Sequence, residues 1–395
     1  MTEQAVPLGG SVFTKGVRIL AAFVAVALLL ILWRLVFGLG SVTALNDGYP
    51  WGLWIAFDVV TGTAFACGGY ALAILVYVFN KGQYHPLVRP ALLTSALGYT
   101  VAGFSVFLDV GRWWSIWHVP LYVTHWNLDS ALLEVALCIM SYVTIVWIEL
   151  SPAFFEKWQS SGNERLRRFS MKVLPVLKRS MIWVIAFGLL FPTLHQASLG
   201  TLMLLSGWRL HPLWRSPLLP FMFLMSSIAM GYGAVVLESV FSSVTFRRKP
   251  EIRMLSGLAV PMMWLLYAVV AVRLLDIRAR GQMSLMWAGD GKSLLFWVEM
   301  LLFLLPATML ASPERRRDLG NLMRASIAML FAGALYRFDT YLVAFSPGPN
   351  WSYFPSVGEI LITVGLVAAE VAVYVTVVRM FPILAGRPKL AESHT

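Results

Sequence analysis

Ten windows of about 20 apolar residues dominate this sequence, near 17–38, 51–79, 87–109, 128–150, 176–197, 217–243, 254–275, 292–311, 321–343 and 357–381. A run of that length crosses the hydrocarbon core of a bilayer as a helix, and in lipid the backbone has only itself to hydrogen-bond with. The expected fold is all-α, a polytopic membrane protein of about ten transmembrane helices. Of 395 residues, 58% are hydrophobic and 13% charged, and no polar stretch of domain size interrupts the spans. The net charge of +11 is no nucleic-acid signal, because basic residues collect on one side of any helical membrane protein. Here 22 of the 31 Lys and Arg lie on the N-terminal side of the spans and 9 on the other. That asymmetry predicts that both termini lie in the cytoplasm. The apolar run from Ile19 to about Phe37 exceeds a signal-peptide core and reads as a retained first span.

A weak internal repeat organises the spans. Span 3 ends FLDVGR (107–112) and span 7 ends LLDIRAR (274–280). Span 4 carries SALLEV with Glu134, and span 8 carries SLLFWVE with Glu299. An offset of four spans preserves orientation, so the repeat is parallel. The expected units are a tail at 1–16, a first peripheral helix and loop at 17–50, a four-helix bundle at 51–197, a second at 198–345, and a last peripheral helix and tail at 346–395.

Charge inside the spans carries the functional signal, since a charge at the bilayer centre costs roughly 2.5–3.5 kcal/mol on insertion scales. Asp58, Asp109, Arg112, Glu134 and His195 are expected to converge on the outer half of the first bundle. A quinone takes up two electrons and two protons, and carboxylates or an imidazole at hydrogen-bond reach can relay the protons. The same residues also suit a structural network that closes the bundle top. A second set, His85, Arg89, Tyr99 and Glu238, lies toward the cytoplasm and suits a proton path. Arg89, before Pro90, also suits a headgroup anchor. Arg273, Asp276, Glu299, Arg337 and Asp339 read as a diverged or structural counterpart in the second bundle. Gly68-Gly69 and GYG (231–233) suggest either broken helices or close packing. The segments WWSIWH (113–118), THW (124–126) and PNWSYFP (349–355) suit a membrane interface or a docked partner.

Cys67 and Cys138 both lie in spans, and there is no CxxC or CxxCH, so no iron–sulfur cluster or c-type haem is expected on this chain. Of the six histidines, at 85, 118, 125, 195, 211 and 394, only His195 lies within a span. The expectation is that the chain holds no haem and receives electrons from a partner.

PLGG (7–10), RLVFGLGSV (34–42), PWGLWIAFD (50–58), FACGGYALA (65–73), YVFNKGQYHPLVRPALL (77–93), FPTLHQASLG (191–200), HPLWRSP (211–217) and VAFSPG (343–348) resemble the membrane subunit of periplasmic uptake [NiFe] hydrogenases. This is the HybB-type branch of the NrfD/polysulfide-reductase membrane-subunit superfamily. The resemblance spans about residues 7–385. It implies a ten-helix subunit exchanging electrons between a quinone, a menaquinone in this reading, and a periplasmic ferredoxin-like iron–sulfur subunit wired to the hydrogenase small and large subunits. It carries candidate quinone and proton residues over to Asp58, Arg89, Tyr99, Glu134, His195 and Glu238. Two other readings stay open. One is the same subunit type serving a formate or sulfur-compound oxidoreductase. The other is a proton-coupled secondary transporter.

Overall fold

Among residues 5–385, the part that the computed structural model describes, ten helices are long and apolar enough to cross a membrane. They are α1 (Lys15–Phe37), α2 (Trp54–Val78), α3 (Gly82–Asp109), α4 (Ala131–Gln159), α5 (Glu164–Leu205), α6 (Leu219–Thr245), α7 (Ile252–Ala279), α8 (Gly291–Met309), α9 (Leu319–Val343) and α10 (Val357–Met380). Strand pairing among the described residues is limited to isolated bridges. The face where α1 begins and α10 ends is called the terminal face below, and the opposite one the far face.

Apolar side chains around most of each helix leave packing to small residues and to shape. Each helix of α2–α5 packs on its neighbour, and α5 on α2, closing one ring; α6–α9 close a second in the same way. The rings meet where α2 packs on α6 and α9. Both begin at the far face, as a parallel repeat requires. Helix α1 lies outside, against α10, and most of its large apolar side chains are exposed to the space lipid would fill. Gly365 permits that contact, because a Cβ there would stand 2.2 Å from Ala27 Cβ. Helix α10 in turn packs on α3 and α2.

Several expected boundaries moved. Helix α5 has 42 residues and continues to Leu205, so the RLRRF segment (165–169) lies on its first turns rather than in a loop. Hydropathy locates the apolar part of a helix, not its ends, and α4 and α5 extend past the apolar part on the terminal face. The expected break near Gly68-Gly69 falls at Ala66–Cys67, where ψ is 1° and 8°. Around it the turns of α2 widen over Trp54–Thr61 and Ile74–Val78, a distortion that recurs at functional sites. GYG causes no break in α6. A Cβ on Gly231 would lie 2.5 Å from Cys67 O, so this glycine lets α6 reach the break in α2.

Beyond α10 the chain folds back under the bundle. Val6 N donates to Leu384 O at 3.2 Å and Leu8 N to Val378 O at 3.2 Å, tying the two ends of the described chain together on the terminal face.

Candidate functional site

The widened turns of α2 aim its polar side chains in two directions. Toward α5 and α9, Thr63 donates to Val59 O at 2.6 Å and accepts from Gln196 Nε2 at 3.0 Å. His195 Nε2 lies 3.2 Å from the same Thr63 oxygen. The single hydroxyl proton of Thr63 is already committed to Val59, so His195 Nε2 is the protonated nitrogen and donates. His195 Nδ1 is left with an open lone pair, buried and without a partner among the described residues. Tyr99 of α3 stands edge-on to His195, with ring centroids 5.6 Å apart, and to Tyr142 of α4 at 4.4 Å. Its hydroxyl is 3.8 Å from Cys67 Sγ.

Arg337 of α9 joins this centre from the second ring. Its guanidinium donates to Val60 O (3.1 Å), Ser226 Oγ (2.9 Å), Gln196 Oε1 (3.1 Å) and Phe223 O (2.9 Å). It is 0% exposed. A guanidinium buried that deeply is tolerated only when its donors are satisfied, and here neutral acceptors from α2, α5 and α6 satisfy them.

Toward α3 and α10, Asp58 accepts at Oδ2 from Ser105 Oγ (3.0 Å) and Thr363 Oγ1 (3.3 Å). Asp109 lies between the carbonyls of Leu108 and Val110, which bind Arg34 at 2.8 and 2.6 Å. Glu359, 1% exposed, closes that end. It accepts from Tyr353 Oη at 2.5 Å and Ala44 N at 3.0 Å. Burial, and the Glu359 carboxyl beside it, hold the Tyr353 phenol above its ordinary value, so it remains a donor.

Two cavities that open on the terminal half border α3. One of about 190 Å³ is bordered by Thr94, Glu238, Ser242, Glu370 and Tyr374; Tyr374 donates to Glu238 there. The other, about 810 Å³, is bordered by His85, Arg89, Glu149 and Glu156. Arg89 pairs with Glu156 at 2.7 Å and donates to Pro382 O at 3.1 Å. In the second ring Arg273 pairs with Glu299, which also accepts from Trp214 Nε1 at 2.9 Å. Asp339 is buried beside them, its Oδ2 unpartnered among the described residues.

The five residues expected at one outer site are therefore spread out. Asp58 and Asp109 face α10 and α1 rather than the interior of the first ring. His195 lies ten residues before the end of α5, about 15 Å in from that end, because α5 continues through buried polar residues that shorten its apolar window. It meets Tyr99, which had been assigned to the other set. Glu134 is exposed on the first turn of α4, and Arg112 is exposed beyond α3. Arg34, Glu149, Glu359 and Glu370 escaped the sequence reading, although each is a charge inside or at the edge of an apolar window, which is signal enough.

The family described as "Polysulphide reductase, NrfD" matches residues 41–344. The chain belongs to the NrfD family. Among its relatives, the "Probable Ni/Fe-hydrogenase 2 b-type cytochrome subunit" of Escherichia coli strain K12 is 41% identical over 97% of this chain and 96% of its own length. The "Menaquinone reductase, integral membrane subunit" of Nitratidesulfovibrio vulgaris is 29% identical over 41% of this chain and 37% of its own. The "Hdr-like menaquinol oxidoreductase integral membrane subunit" of Archaeoglobus fulgidus is 24% identical over 88% of each.

The expectation of a chain that holds no haem is corrected by the first of these names, since a b-type cytochrome is a haem protein and the identity spans nearly the whole chain. Among the described histidines, His195 is the one buried inside a span, and its open Nδ1 offers a single axial position. His85, His118, His125 and His211 lie at helix ends or in loops. The described residues do not build the facing histidine pair of a membrane-spanning b-haem.

Proposed function

We propose that this chain is the quinone-reactive membrane subunit of a periplasmic [NiFe] hydrogenase complex, in the bacterial inner membrane with both termini in the cytoplasm. It passes electrons between a periplasmic iron–sulfur subunit and menaquinone, with proton transfer coupled to the reaction. The observation that carries this reading is the 41% identity, over 97% of the chain, to a hydrogenase 2 subunit. The menaquinone reductase subunit among the relatives supports the choice of quinone. The far face becomes the periplasmic side, where the exposed Trp114 and Trp117 suit a docked partner.

The quinone takes two electrons from the partner and two protons, becoming the quinol. Asp58, Asp109 and Arg112 serve its head on the periplasmic half, and Glu134 meets it on the open flank of α4. His195 Nδ1 receives or holds a proton at its open lone pair, and Tyr99 and Cys67 border it. Arg89 and Glu238 connect these groups to the cytoplasmic cavities.

Purification from native membranes in mild detergent, followed by hydrogen-dependent reduction of a short-chain naphthoquinone, tests the reading. Co-purifying iron–sulfur and nickel–iron subunits with quinone activity are expected, and Asp58→Asn should slow the reaction at least tenfold. A clean complex without hydrogen activity would refute the hydrogenase assignment, and an unaltered Asp58→Asn rate would remove Asp58 from the site.

A further inference from the structure

Helices α3 and α10 run antiparallel and in contact, and their polar residues meet level by level. Thr94 and Tyr374 border one cavity, together with Glu238. One level on, Gly98 faces Glu370: a Cβ on Gly98 would stand 3.4 Å from Glu370 Oε1. Ser105 and Thr363 grip the same Asp58 oxygen. Asp109 and Glu359 then lie within electrostatic reach of each other at the far end. The steps agree on both helices. Four residues separate 94 from 98 and 370 from 374, seven separate 98 from 105 and 363 from 370, and four separate 105 from 109 and 359 from 363. From Tyr374 to Glu359 the ladder rises about 22 Å at 1.5 Å per residue, most of a hydrocarbon core.

Lipid-facing helices do not carry such a stripe without reason, since an ionisable group in a span is expensive. Glu370 is the telling member. It makes no hydrogen bond to any described residue, and it borders the 190 Å³ cavity beside Glu238 and Tyr374. Most of the lining is apolar, Leu97, Phe241, Phe246 and Val371 among it, so a water that enters has Thr94, Ser242 and the two carboxyls as its polar partners.

We propose that the α3–α10 seam is a proton conduit between the terminal face and the Asp58 level, with Glu370 as its mid-membrane relay. This rests on the quinone reading above and gives that reaction its proton source. A proton enters at Glu238 and Tyr374, crosses the cavity to Glu370, and passes by side-chain swing and water to Asp58. At each step one O–H bond breaks on a carboxylic acid and one forms on the next carboxylate; no electron moves along this route. The conduit is separate from Tyr99 and His195, which face the inside of the first ring.

The test uses the intact complex in liposomes, with a pH dye on the terminal side and a short-chain naphthoquinone as acceptor. Wild-type should take up protons from the terminal side during hydrogen-dependent reduction. Glu370→Gln should cut that uptake at least tenfold, Glu370→Asp should restore an intermediate rate, and Glu164→Gln, on the exposed start of α5, should change nothing. Wild-type uptake in Glu370→Gln, or uptake from the far side in wild-type, overturns the proposal. Tyr374→Phe, nearly isosteric, decides the matter if Glu370→Gln fails to assemble; slowed uptake supports the conduit and an unchanged rate refutes it. A wild-type complex that reduces no quinone fails earlier and removes the functional reading itself.

Discussion

Arg273→Met isolates what the buried charges of the second ring contribute. Arg273 is 2% exposed and Glu299 0%. The guanidinium also lies over the rings of Tyr336, Phe296 and Trp214 at 4.7, 4.9 and 5.6 Å. Methionine keeps the apolar contact but leaves the Glu299 and Asp339 carboxyls against each other without their shared cation, with Trp214 Nε1 still donating to Glu299. Removing one member of a buried pair costs about 3–5 kcal/mol, because the surviving charge is stranded. With an unfolding entropy of about 2.1 cal/mol/K per residue, a 395-residue chain loses about 5 °C in Tm for ~4 kcal/mol. Helices that survive unfolding in detergent lower that entropy and enlarge the shift per kcal/mol. Thermal unfolding followed by tryptophan fluorescence reads it directly, Trp214 being in contact with the pair. Arg273→Met/Glu299→Gln removes charge from both sides and should recover most of the loss. A single variant within 1 °C of wild-type, or a double variant no better than the single, refutes the reasoning.

Glu134→Gln is expected to slow hydrogen-dependent quinone reduction at least tenfold while leaving Tm within about 1 °C, since exposed substitutions rarely move stability by more than ~0.5 kcal/mol; a full rate would end its role. His211, in the loop between α5 and α6, has its imidazole held below the ordinary value by burial and by Lys292, with Asp290 opposing. The fold therefore favours the neutral ring. The unfolded chain takes its proton first as pH falls through about 6.5, so stability is lost below that pH down to the folded value. Unfolding midpoints between pH 7 and 5 should fall less steeply for His211→Asn, and identical slopes would exclude His211 as a source.

The ten spans and the pairing of ring with ring were legible because membrane length and a four-span offset are properties of the sequence itself. Side-chain direction was not. Asp58 and Asp109 both lie near the far end of the first ring, yet they face α10 and α1; for Asp58 the widened turns of α2 rotate its polar positions in a way no regular 3.6 period predicts. Glu370 and Glu359 were passed over because α10 read as a peripheral helix, and only its packing in three dimensions sets Glu359 against Tyr353 and Ala44 and Glu370 beside Glu238. Asp276 and Asp109 match in the repeat but not in surroundings: Asp276 pairs with Arg280 at 2.7 Å just past the end of its own helix, whereas Arg34 of α1 binds the carbonyls on either side of Asp109.

The Arg337 guanidinium bears on how such a chain can move. Its four hydrogen bonds to oxygen join α9 to α2, α5 and α6 across the line where the two rings meet. Charged hydrogen bonds contribute about 1.5–3 kcal/mol each, and no bulk water stands ready to replace them at that depth. A carrier that rocks one half against the other would break this clasp in every cycle and bare a positive charge each time. The seam is thus bolted mechanically, and its fixed charge repels any cation seeking a way between the halves. Such a body behaves as a stator, its two halves held as one piece.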